Sequence, residues 1–565
     1  MRKIRTLLQI SFFLAFLIIS PLTYSSETLQ VGEKCTYKIW LGGKEAGYCT
    51  YYVKTKDEQG YHIRSKVQVE AMIKLTLYEK LLLSEELIPL KYTLDAFVGN
   101  QHQRIEARCE GKTAKLHYRL PGEEKDAEVK LGENLVILDN NVIDHWVFIV
   151  KRYDYHKSGE QSFFALVPQV AKGLTLDLKM IDSVEVELEE EKFAAIHLSG
   201  QLAGIGIDLW VDPQTRSLLK VAIPSQQFEG IKAKAVIDFS EEELEKRLGE
   251  IKGKEEKFIE ERYHSEEIIF NNGDIKLAGT LTIPDTPVNK KYPGVVFIHG
   301  SGPVDRNENA GFMRMFFFRQ LADTLSKAGF VTLRYDKRGV GESTGDLKQA
   351  DLEDLISDAA KAVDFLRKRP EVDPKKIGLI GHSEGGTIGP ILCSRDPEIA
   401  ALVVMAGMAR PIDQVTIDQI RYLSHLRGLK EDEIEVEVKK QEDFFEKIRN
   451  REEISQIPGF SPDWWRQHME NKPLENIKKV KCPILILNGG KDYQISVEKD
   501  AQKLAQTLQE VNHPDFTLKI FPNLDHLFAW IEGPSKPEYY LDSSRKIGKD
   551  VLATLSSWLI QRLKD

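Results

Sequence analysis

The pentapeptide Gly381-His382-Ser383-Glu384-Gly385 is the strongest chemical signal in the sequence. It follows the apolar segment KIGLI, which predicts a strand, and opens GTIGPILCS, which predicts a helix. A serine on so sharp a strand-to-helix turn projects its hydroxyl above the sheet edge as a nucleophile, and the glycines prevent collisions within the turn. The G-x-S-x-G spacing recurs around Ser343, but that copy lies in a loop with no helix beginning at the serine. Context therefore favours Ser383.

A serine hydroxyl is a poor nucleophile until a base takes its proton and a carboxylate orients that base. Asp492 directly follows the predicted strand CPILILN, and His526 follows the predicted strand FTLKIFP. Both loops lie at carboxyl ends of strands, where open α/β sheets bind their ligands. We expect Asp492 and His526 to complete a triad with Ser383, with Asp413 as the alternative acid. The competing interpretations are a helix N-cap for Asp492, a role better suited to Ser496, and an ordinary loop histidine for His526.

Attack on a carbonyl group also needs N–H donors that stabilise the oxyanion of the tetrahedral intermediate. The segment HGSGP at 299–303 follows the predicted strand GVVF, a position from which such a donor can come. We assign one donor to the backbone N–H of Ser301 and the other to the backbone N–H of Glu384. Ser301 could itself be interpreted as a nucleophile, but it lacks the sharp strand-to-helix turn of Ser383.

The elements that must position these residues alternate between strand and helix from Ser265 onward. Continuous apolar strands with helical crossovers predict an α/β fold with a mainly parallel sheet, doubly wound, over residues 263–565. The segment between ALVVMAG and CPILILN is far longer than an ordinary loop. We expect it to form a helical cap over about 408–480. Trp464 and Trp465 in this cap are interpreted either as walls of the substrate pocket or as packing residues.

Three motifs, HGSGPVDRN, RYDKRGVGES and GHSEGG, together resemble the α/β-hydrolase superfamily. The combination resembles bacterial serine esterases that carry an N-terminal accessory domain. The resemblance covers a little over half of the chain and implies hydrolysis of carboxylic esters, with Ser383, Asp492 and His526 as the matched triad. Asp305 and Arg306 lie near the expected mouth of the site, where they could bind polar groups of the substrate or fix the loop through a salt bridge.

The predicted function is therefore that of a serine carboxylesterase acting on small-molecule esters with small or medium acyl or aryl groups. A peptidase or amidase is the first alternative, because the same triad cleaves amides, and an acyltransferase is the second. An inactive binding protein on the same scaffold is a third class, against which the presence of nucleophile, acid and base argues. The mechanism needs no cofactor, and the acidic and basic residues do not have metal-binding spacing.

Residues 26–240 have a different hydrophobic pattern from residues 263–565. Short alternating segments such as KCTYKIW, RIEARCE and LTLDLKMI, separated by Gly, Pro, Asp and Asn, predict a mostly antiparallel β domain. We assign this domain no site and leave its role open. The capping-box pattern Ser240-Glu-Glu-Glu243 leads into segment 241–262, which consists largely of charged helix formers. It predicts a solvated helical linker between the two halves.

The N-terminus predicts export. Three positive residues precede the apolar run LLQISFFLAFLIIS, and Thr23 and Ser25 are small enough for signal peptidase, so we expect cleavage after Ser25. An uncleaved anchor is the alternative, although the run is short for a membrane span. Removal of residues 1–25 changes the net charge from −9 to −12. The expected product is periplasmic or secreted, with no membrane span after cleavage.

The composition and the cysteines further limit the possible classes of protein and of site. The chain of 565 residues has 42% hydrophobic and 29% charged residues, which excludes a disordered or fibrous protein. Its acidic net charge and lack of a basic run give no surface for nucleic acid, and the oligomeric state stays open. None of the five cysteines forms a C-x-x-C pair. With a turn at Gly42-Gly43, Cys35 and Cys49 fall nearly opposite each other on two strands, so the sequence allows either a disulfide between them or two buried thiols.

Overall fold

A computed structural model describes residues 29–564 apart from 71–73, 99–100, 121–122, 189–190, 252–261, 286–290, 312, 453 and 455–458. The predicted signal peptide lies outside the described residues. The described chain forms two separate sheets, one in each half. Within the described ranges, no helix has the length and apolar character needed to cross a membrane.

The N-terminal half is a single sheet of 15 strands around one helix. The strands are β1 (Lys34–Leu41), β2 (Lys44–Asp57), β3 (Gly60–Glu70), β4 (Lys74–Leu83), β5 (Pro89–Val98), β6 (Gln101–Glu110), β7 (Thr113–Leu120), β8 (Glu123–Lys130), β9 (Leu135–Ile137), β10 (Glu160–Val167), β11 (Lys172–Leu188), β12 (Glu191–Leu202), β13 (Ile205–Val211), β14 (Leu218–Ile223) and β15 (Phe228–Lys232). Neighbouring strands are antiparallel except for β9 and β10. Strands β1 and β15 pair in the middle of the sheet, which leaves β8 and β9 at its edges. Helix α1 (Asp144–Arg152) is buried from Asp144 through Val150.

A cluster of ionisable side chains lies in the core of this domain. Asp144 accepts a hydrogen bond from Ser65 Oγ at 2.6 Å, and His145 Nε2 lies 2.9 Å from Glu79 Oε1. His145 Nδ1 accepts the backbone N–H of Asp139 at 3.0 Å, so the ring is the neutral tautomer with its proton on Nε2. Burial raises the pKa of the carboxyl groups of Glu79, Asp139 and Asp144 to about 7 each.

The disulfide between Cys35 and Cys49 does not form, and both residues are free buried thiols. In the β1–β2 pair, Cys35 lies opposite Tyr51 and Cys49 lies opposite Tyr37. The two-residue turn would place the cysteines almost face to face, but a bulge between Ile39 and Trp40 shifts the register by one more residue. The two sulfurs therefore belong to diagonal positions rather than to a facing pair.

The expected linker helix packs against the β domain and is not surrounded by solvent. It is α2 (Glu241–Ile251), while residues 252–261 are outside the described residues. Leu244 is buried against Tyr78 and Phe97. Glu241 accepts a hydrogen bond from Tyr52 at 2.8 Å and pairs with Lys54. The first turn of the helix is thus fixed to the sheet through both apolar and ionic contacts.

The C-terminal half is an eight-stranded α/β sheet, as predicted. Its strands are β16 (Tyr263–Asn272), β17 (Ile275–Pro284), β18 (Tyr292–Ile298), β19 (Val331–Tyr335), β20 (Val372–His382), β21 (Ala401–Met405), β22 (Ile484–Gly489) and β23 (Phe516–Phe521). Their order is β16-β17-β19-β18-β20-β21-β22-β23, and the six strands β18 to β23 are parallel. Two apolar cores cover the two faces of this sheet.

Helices connect these strands. They are α3 (Phe317–Lys327), α4 (Leu352–Arg367), α5 (Gly385–Arg395), α6 (Ile412–Leu426), α7 (Glu431–Asn450), α8 (Pro462–Glu470), α9 (Pro473–Ile477), α10 (Gln502–Glu510) and α11 (Lys549–Leu563). Four of them, α6 to α9, occupy the long insertion between β21 and β22. The carboxyl ends of the parallel strands meet at one edge, which places the loops after β18, β20, β22 and β23 near one another.

Candidate active site

Ser383 lies on the turn between β20 and α5 in a conformation that is costly for any residue other than glycine. Its φ is +54°, in the left-handed region. A Cβ on Gly381 would lie 2.1 Å from the carbonyl oxygen of Gly385, and a Cβ on Gly385 would lie 2.1 Å from that of Ile298. Both flanking positions therefore require glycine, and the strained turn presents the serine hydroxyl at the sheet edge.

The second G-x-S-x-G serine has an unrelated structural role. Ser343 is buried, its Oγ donates to the carbonyl oxygen of Asp336 at 2.8 Å and accepts the backbone N–H of Ala278 at 3.0 Å. These two hydrogen bonds fix the loop after β19 to β17. Ser343 is thus not positioned as a nucleophile.

The predicted acid and base are in direct contact. His526 Nδ1 lies 2.8 Å from Asp492 Oδ2, and both side chains are buried. The other carboxylate oxygen, Oδ1, accepts the backbone N–H groups of Gln494 at 2.8 Å and Ile495 at 3.0 Å. Burial disfavours the charged imidazole, but the Asp492 carboxylate outweighs this effect, so the pKa of His526 lies above its usual value.

Two other nearby carboxylates have other partners. Asp413, the alternative acid, pairs with Arg449, and Asp525, the residue before His526, pairs with Arg545 at 2.7 Å. Ser496 accepts the backbone N–H of Lys499 at 3.1 Å and so supplies the helix cap that was the alternative role for Asp492. Asp492 is therefore the carboxylate that the structure places on His526.

Ser383 approaches the same histidine through its neighbour in the chain. His382 Nε2 donates to the backbone carbonyl of His526 at 3.1 Å, and the two imidazole rings are 4.7 Å apart. The Ser383 hydroxyl itself makes no hydrogen bond within the described part of the chain. The structure therefore brings the three predicted residues to one edge of the sheet and forms the Asp492–His526 half of the relay. Catalytic hydrogen bonds are often long before substrate binds.

The loop that carries the first assigned oxyanion donor lies close to Ser383, and the second donor belongs to the residue after Ser383. A Cβ on Gly300 would lie 3.3 Å from Ser383 Cβ, which shows how closely the HGSGP loop approaches the serine. Among the described residues, neither the N–H of Ser301 nor that of Glu384 donates to an acceptor. Both donors are thus free to bind a substrate oxygen, as an oxyanion hole requires.

Sequence reasoning missed the buried charges that hold this loop. Glu308 Oε1 accepts the backbone N–H of Gly300 at 2.7 Å and lies 2.9 Å from His382 Nδ1. Lys337 Nζ donates to the backbone carbonyl of Gly300 at 2.6 Å and to Glu384 at 2.7 Å. The only sequence signal for these roles is that Glu308 and Lys337 follow or fall within the motifs HGSGPVDRN and RYDKRGVGES.

Asp305 and Arg306 fix the loop, as one of the two interpretations expected. Asp305 Oδ1 accepts the backbone N–H groups of Asn307 at 2.7 Å and Asn309 at 3.0 Å. Arg306 binds Asp336 through two nitrogens, at 2.8 and 3.1 Å. The hydrogen-bonding capacity of both side chains is therefore largely committed within the protein.

The tryptophans of the insertion pack it against the domain. Trp464 is 2% exposed, stacks on Phe460 with ring centroids 3.8 Å apart and donates its indole N–H to Glu384 at 2.7 Å. Trp465 packs against Phe444 and Phe445. The interpretation of Trp464 as an open pocket wall is wrong, because its ring is enclosed by the interface between insertion and core. The contacts of Trp465 are likewise those of a packing residue.

No group of three or more His, Cys, Asp or Glu side chains in the described ranges could share a metal ion.

The family model Hydrolase_4, described as serine aminopeptidase S33, matches residues 306–530. Esterase EstD of Thermotoga maritima is 29% identical over 310 residues, which cover 54% of this chain and 69% of EstD. An uncharacterised 31.7 kDa protein of Escherichia coli is 26% identical over 241 residues, 38% of this chain and 77% of that protein.

Among solved structures, Est1E of Butyrivibrio proteoclasticus with bound ferulic acid is 20% identical to this chain. The alignment covers 53% of this chain and 100% of Est1E, with a TM-score of 0.37. The family match, the EstD relationship and the observed strand order agree with the motifs found in the sequence. The C-terminal half of the chain is therefore similar to the α/β hydrolases, and in particular to esterase EstD.

Proposed function

We propose that this protein is a serine carboxylesterase that hydrolyses small or medium acyl or aryl esters through Ser383, His526 and Asp492. The observation that carries the proposal is the buried 2.8 Å contact between Asp492 and His526, at the edge of the sheet where the strained turn presents Ser383. The relationship to esterase EstD supports ester hydrolysis as the reaction.

In the acylation step, the Ser383 oxygen attacks the ester carbonyl while His526 Nε2 accepts the hydroxyl proton. Asp492 holds the proton on His526 Nδ1, which leaves Nε2 free to act as the base, and stabilises the imidazolium that forms. The carbonyl oxygen becomes an oxyanion and accepts the N–H groups of Ser301 and Glu384. His526 then gives its proton to the leaving alcohol, and the C–O bond of the ester breaks.

In the deacylation step, water attacks the Ser383 ester with His526 again as the base. A second tetrahedral intermediate accepts the same two N–H groups. As it collapses, its bond to the Ser383 oxygen breaks, His526 returns the proton to that oxygen, and the free acid leaves. All proton transfers involve groups of this chain and water, so the proposed cycle requires no cofactor. Acylation needs neutral His526, because only the neutral ring can accept the serine proton.

The insertion supplies the proposed cap over this site. Tyr422 on α6 donates to the carbonyl of Ser535 at 2.9 Å and stacks on Tyr493, the residue after the triad acid. Gln419 on the same helix donates to the carbonyl of Gln494 at 3.1 Å. These contacts support a cap whose α6 borders the Asp492 loop and limits the size of the acyl group.

The test is a panel of p-nitrophenyl esters of increasing acyl length, assayed with the wild type and two matched serine variants. Ser383→Ala should lower kcat at least about 1,000-fold, because removal of the nucleophile leaves only binding and oxyanion stabilisation. Ser343→Ala, in the second G-x-S-x-G copy, should keep kcat within about fivefold. Normal activity of Ser383→Ala would refute the site.

Amide hydrolysis is the second candidate, favoured by the description of the matching family model as a serine aminopeptidase. Aminoacyl p-nitroanilides assayed beside the esters separate the two reactions. We expect kcat/KM to be higher for the esters, because an alkoxide leaves more easily than an amine. Faster turnover of the anilides would assign the protein as a peptidase.

We also propose that the protein is exported and cleaved after Ser25. The supporting features are the basic start and the apolar run of the sequence. N-terminal sequencing of protein from fractionated cells should give Ser26 as the first residue in the extracytoplasmic fraction. Intact Met1 in that fraction would contradict cleavage.

A further inference from the structure

Lys337 is a buried cation that the proposed reaction does not use. It follows β19, is 3% exposed, and its Nζ makes three contacts. It donates to the carbonyl oxygens of Gly300 at 2.6 Å and Gly302 at 3.3 Å, and to Glu384 Oε2 at 2.7 Å. A lysine is rarely buried unless it is paired, and here each of its three donors has an acceptor.

The contact with Gly300 determines the direction of an oxyanion donor. The carbonyl of Gly300 and the N–H of Ser301 belong to the same peptide unit. In a trans peptide these two groups point in opposite directions. When Lys337 holds the Gly300 carbonyl on one side, the Ser301 N–H must point to the other side, away from Lys337. Glu308 fixes the preceding N–H, that of Gly300, at 2.7 Å, so the loop is held at two successive peptide units.

The contact with Glu384 joins this loop to the second donor. The backbone N–H of Glu384 is the other assigned oxyanion donor, and its side chain is the anionic partner of Lys337. Glu384 is 1% exposed, and its other oxygen accepts the Trp464 indole N–H at 2.7 Å and lies 3.0 Å from His468 Nε2. Burial raises the pKa of Glu384, but Lys337 and then His468 outweigh it and hold the pKa at about 2. The carboxylate is therefore ionised under assay conditions.

We propose that Lys337 is a positioning residue that aligns the Ser301 and Glu384 N–H groups, and that Glu384 and Trp464 connect helix α8 of the insertion to this oxyanion hole. This inference rests on the proposed function. Lys337 touches no reacting atom; it acts through the peptide units that do.

The decisive variant replaces both members of the ion pair, Lys337→Met with Glu384→Gln. The single Lys337→Met change leaves Glu384 buried without a cation, which is strongly destabilising, whereas replacing both members of a buried pair is often tolerated. The glutamine oxygen can still accept the Trp464 indole N–H. We expect kcat on a p-nitrophenyl ester to fall about 10- to 100-fold with KM changed less than about threefold, since misaligned donors weaken binding mainly in the transition state.

A matched control removes another buried ion pair from the same loop. Arg338 binds Asp358 at 2.7 and 2.8 Å without contact to Gly300 or Glu384. Arg338→Met with Asp358→Asn should keep kcat within about threefold even if the melting temperature falls. An equal loss of kcat in both double variants would assign the effect to loop stability and overturn the inference.

The affinity for an alkyl trifluoromethyl ketone measures oxyanion stabilisation in the folded protein and does not depend on the stability of the fold. The ketone adds to the active serine and places an alkoxide in the oxyanion hole, so its affinity follows transition-state stabilisation. We expect the inhibition constant to rise by the same factor by which kcat falls in the Lys337→Met, Glu384→Gln variant. Unchanged kcat and unchanged affinity in this folded variant would overturn the positioning role.

Labelling of the wild type with a fluorophosphonate separates this failure from failure of the proposed function. Mass spectrometry should place the label on Ser383. A wild type that is neither labelled there nor active on esters would refute the proposed function and the inference with it. A labelled, active wild type with an equally active double variant would refute the inference alone.

Discussion

The most informative single substitution is Asp492→Asn, because the structure shows which way the asparagine would turn. Asp492 Oδ1 accepts two backbone N–H groups, from Gln494 and Ile495, and Oδ2 faces His526 Nδ1. An asparagine would keep its oxygen towards the two donors and turn its NH₂ group towards the imidazole. His526 would then have to accept at Nδ1 and carry its proton on Nε2, the nitrogen that must take the serine proton.

The expected loss is large because the base is held in the wrong tautomer. In the serine-protease triad the corresponding change lowers kcat about 10,000-fold, or about 5 kcal/mol of transition-state stabilisation. The buried setting of Asp492 and His526 is comparable, so we expect a loss of that order. The assay is steady-state hydrolysis of a p-nitrophenyl ester by purified variants whose circular dichroism matches the wild type.

The pH profile gives the sign of the electrostatic effect. The pKa of His526 is raised by Asp492, so wild-type kcat/KM should fall with decreasing pH through a value above about 6.5. Removal of the carboxylate charge lowers that pKa, and the acidic limb of the residual activity should move to lower pH. Asp413→Asn, which alters a carboxylate paired with Arg449, is the control and should keep kcat within about twofold. A folded Asp492→Asn enzyme within tenfold of the wild type would refute the assignment of the acid.

Two further substitutions test the turn and the core of the β domain. Gly385→Ala places a Cβ 2.1 Å from the Ile298 carbonyl oxygen, so we expect at least about a 100-fold loss of kcat and a lower melting temperature; wild-type kcat would contradict the packing of the elbow. Burial raises the pKa of Asp144 to about 7, so folding takes up a proton and the wild type should lose stability as the pH rises from about 4 to about 7. Asp144→Asn removes this contribution. The free energy of unfolding in urea, variant minus wild type, should therefore be about 2 kcal/mol more positive at about pH 7.5 than at about pH 5. A pH-independent difference would contradict the raised pKa.

The positions of the three proposed triad residues at one edge of the sheet could be predicted because they depend on short-range features. The residues within a few positions of Ser383 predict a strand, a tight turn and the start of a helix. Asp492 and His526 each follow a predicted apolar strand. Parallel strands in one sheet then bring their carboxyl ends together whatever lies between them in the chain. The sheet order confirms this part of the prediction.

The register of the β domain could not be predicted to the same accuracy. Alternation predicts that a strand exists, but a single bulge shifts every later pair by one residue. The bulge between Ile39 and Trp40 leaves the alternating pattern almost unchanged, yet it separates Cys35 from Cys49. The charged composition of α2 similarly predicted a solvated helix, whereas Leu244 is buried against the sheet and Glu241 pairs with Lys54.

The buried charges around Ser383 could not be predicted from the sequence, for a different reason. Lys337 and Glu384 are 47 residues apart in the chain, and neither type nor spacing shows that they meet. Once they are placed together, the residue after the nucleophile becomes informative. An isolated Glu384 carboxylate would lie next to the site where negative charge develops on the substrate and would oppose it. Because Lys337 neutralises that carboxylate and holds the Gly300 carbonyl at the same time, the pair removes an unfavourable field and aims a favourable donor. A neutral side chain at 384 would avoid the unfavourable field but would lose the connection between the two N–H groups. The glutamate is therefore compatible with catalysis only in the presence of a cation at the position that Lys337 occupies.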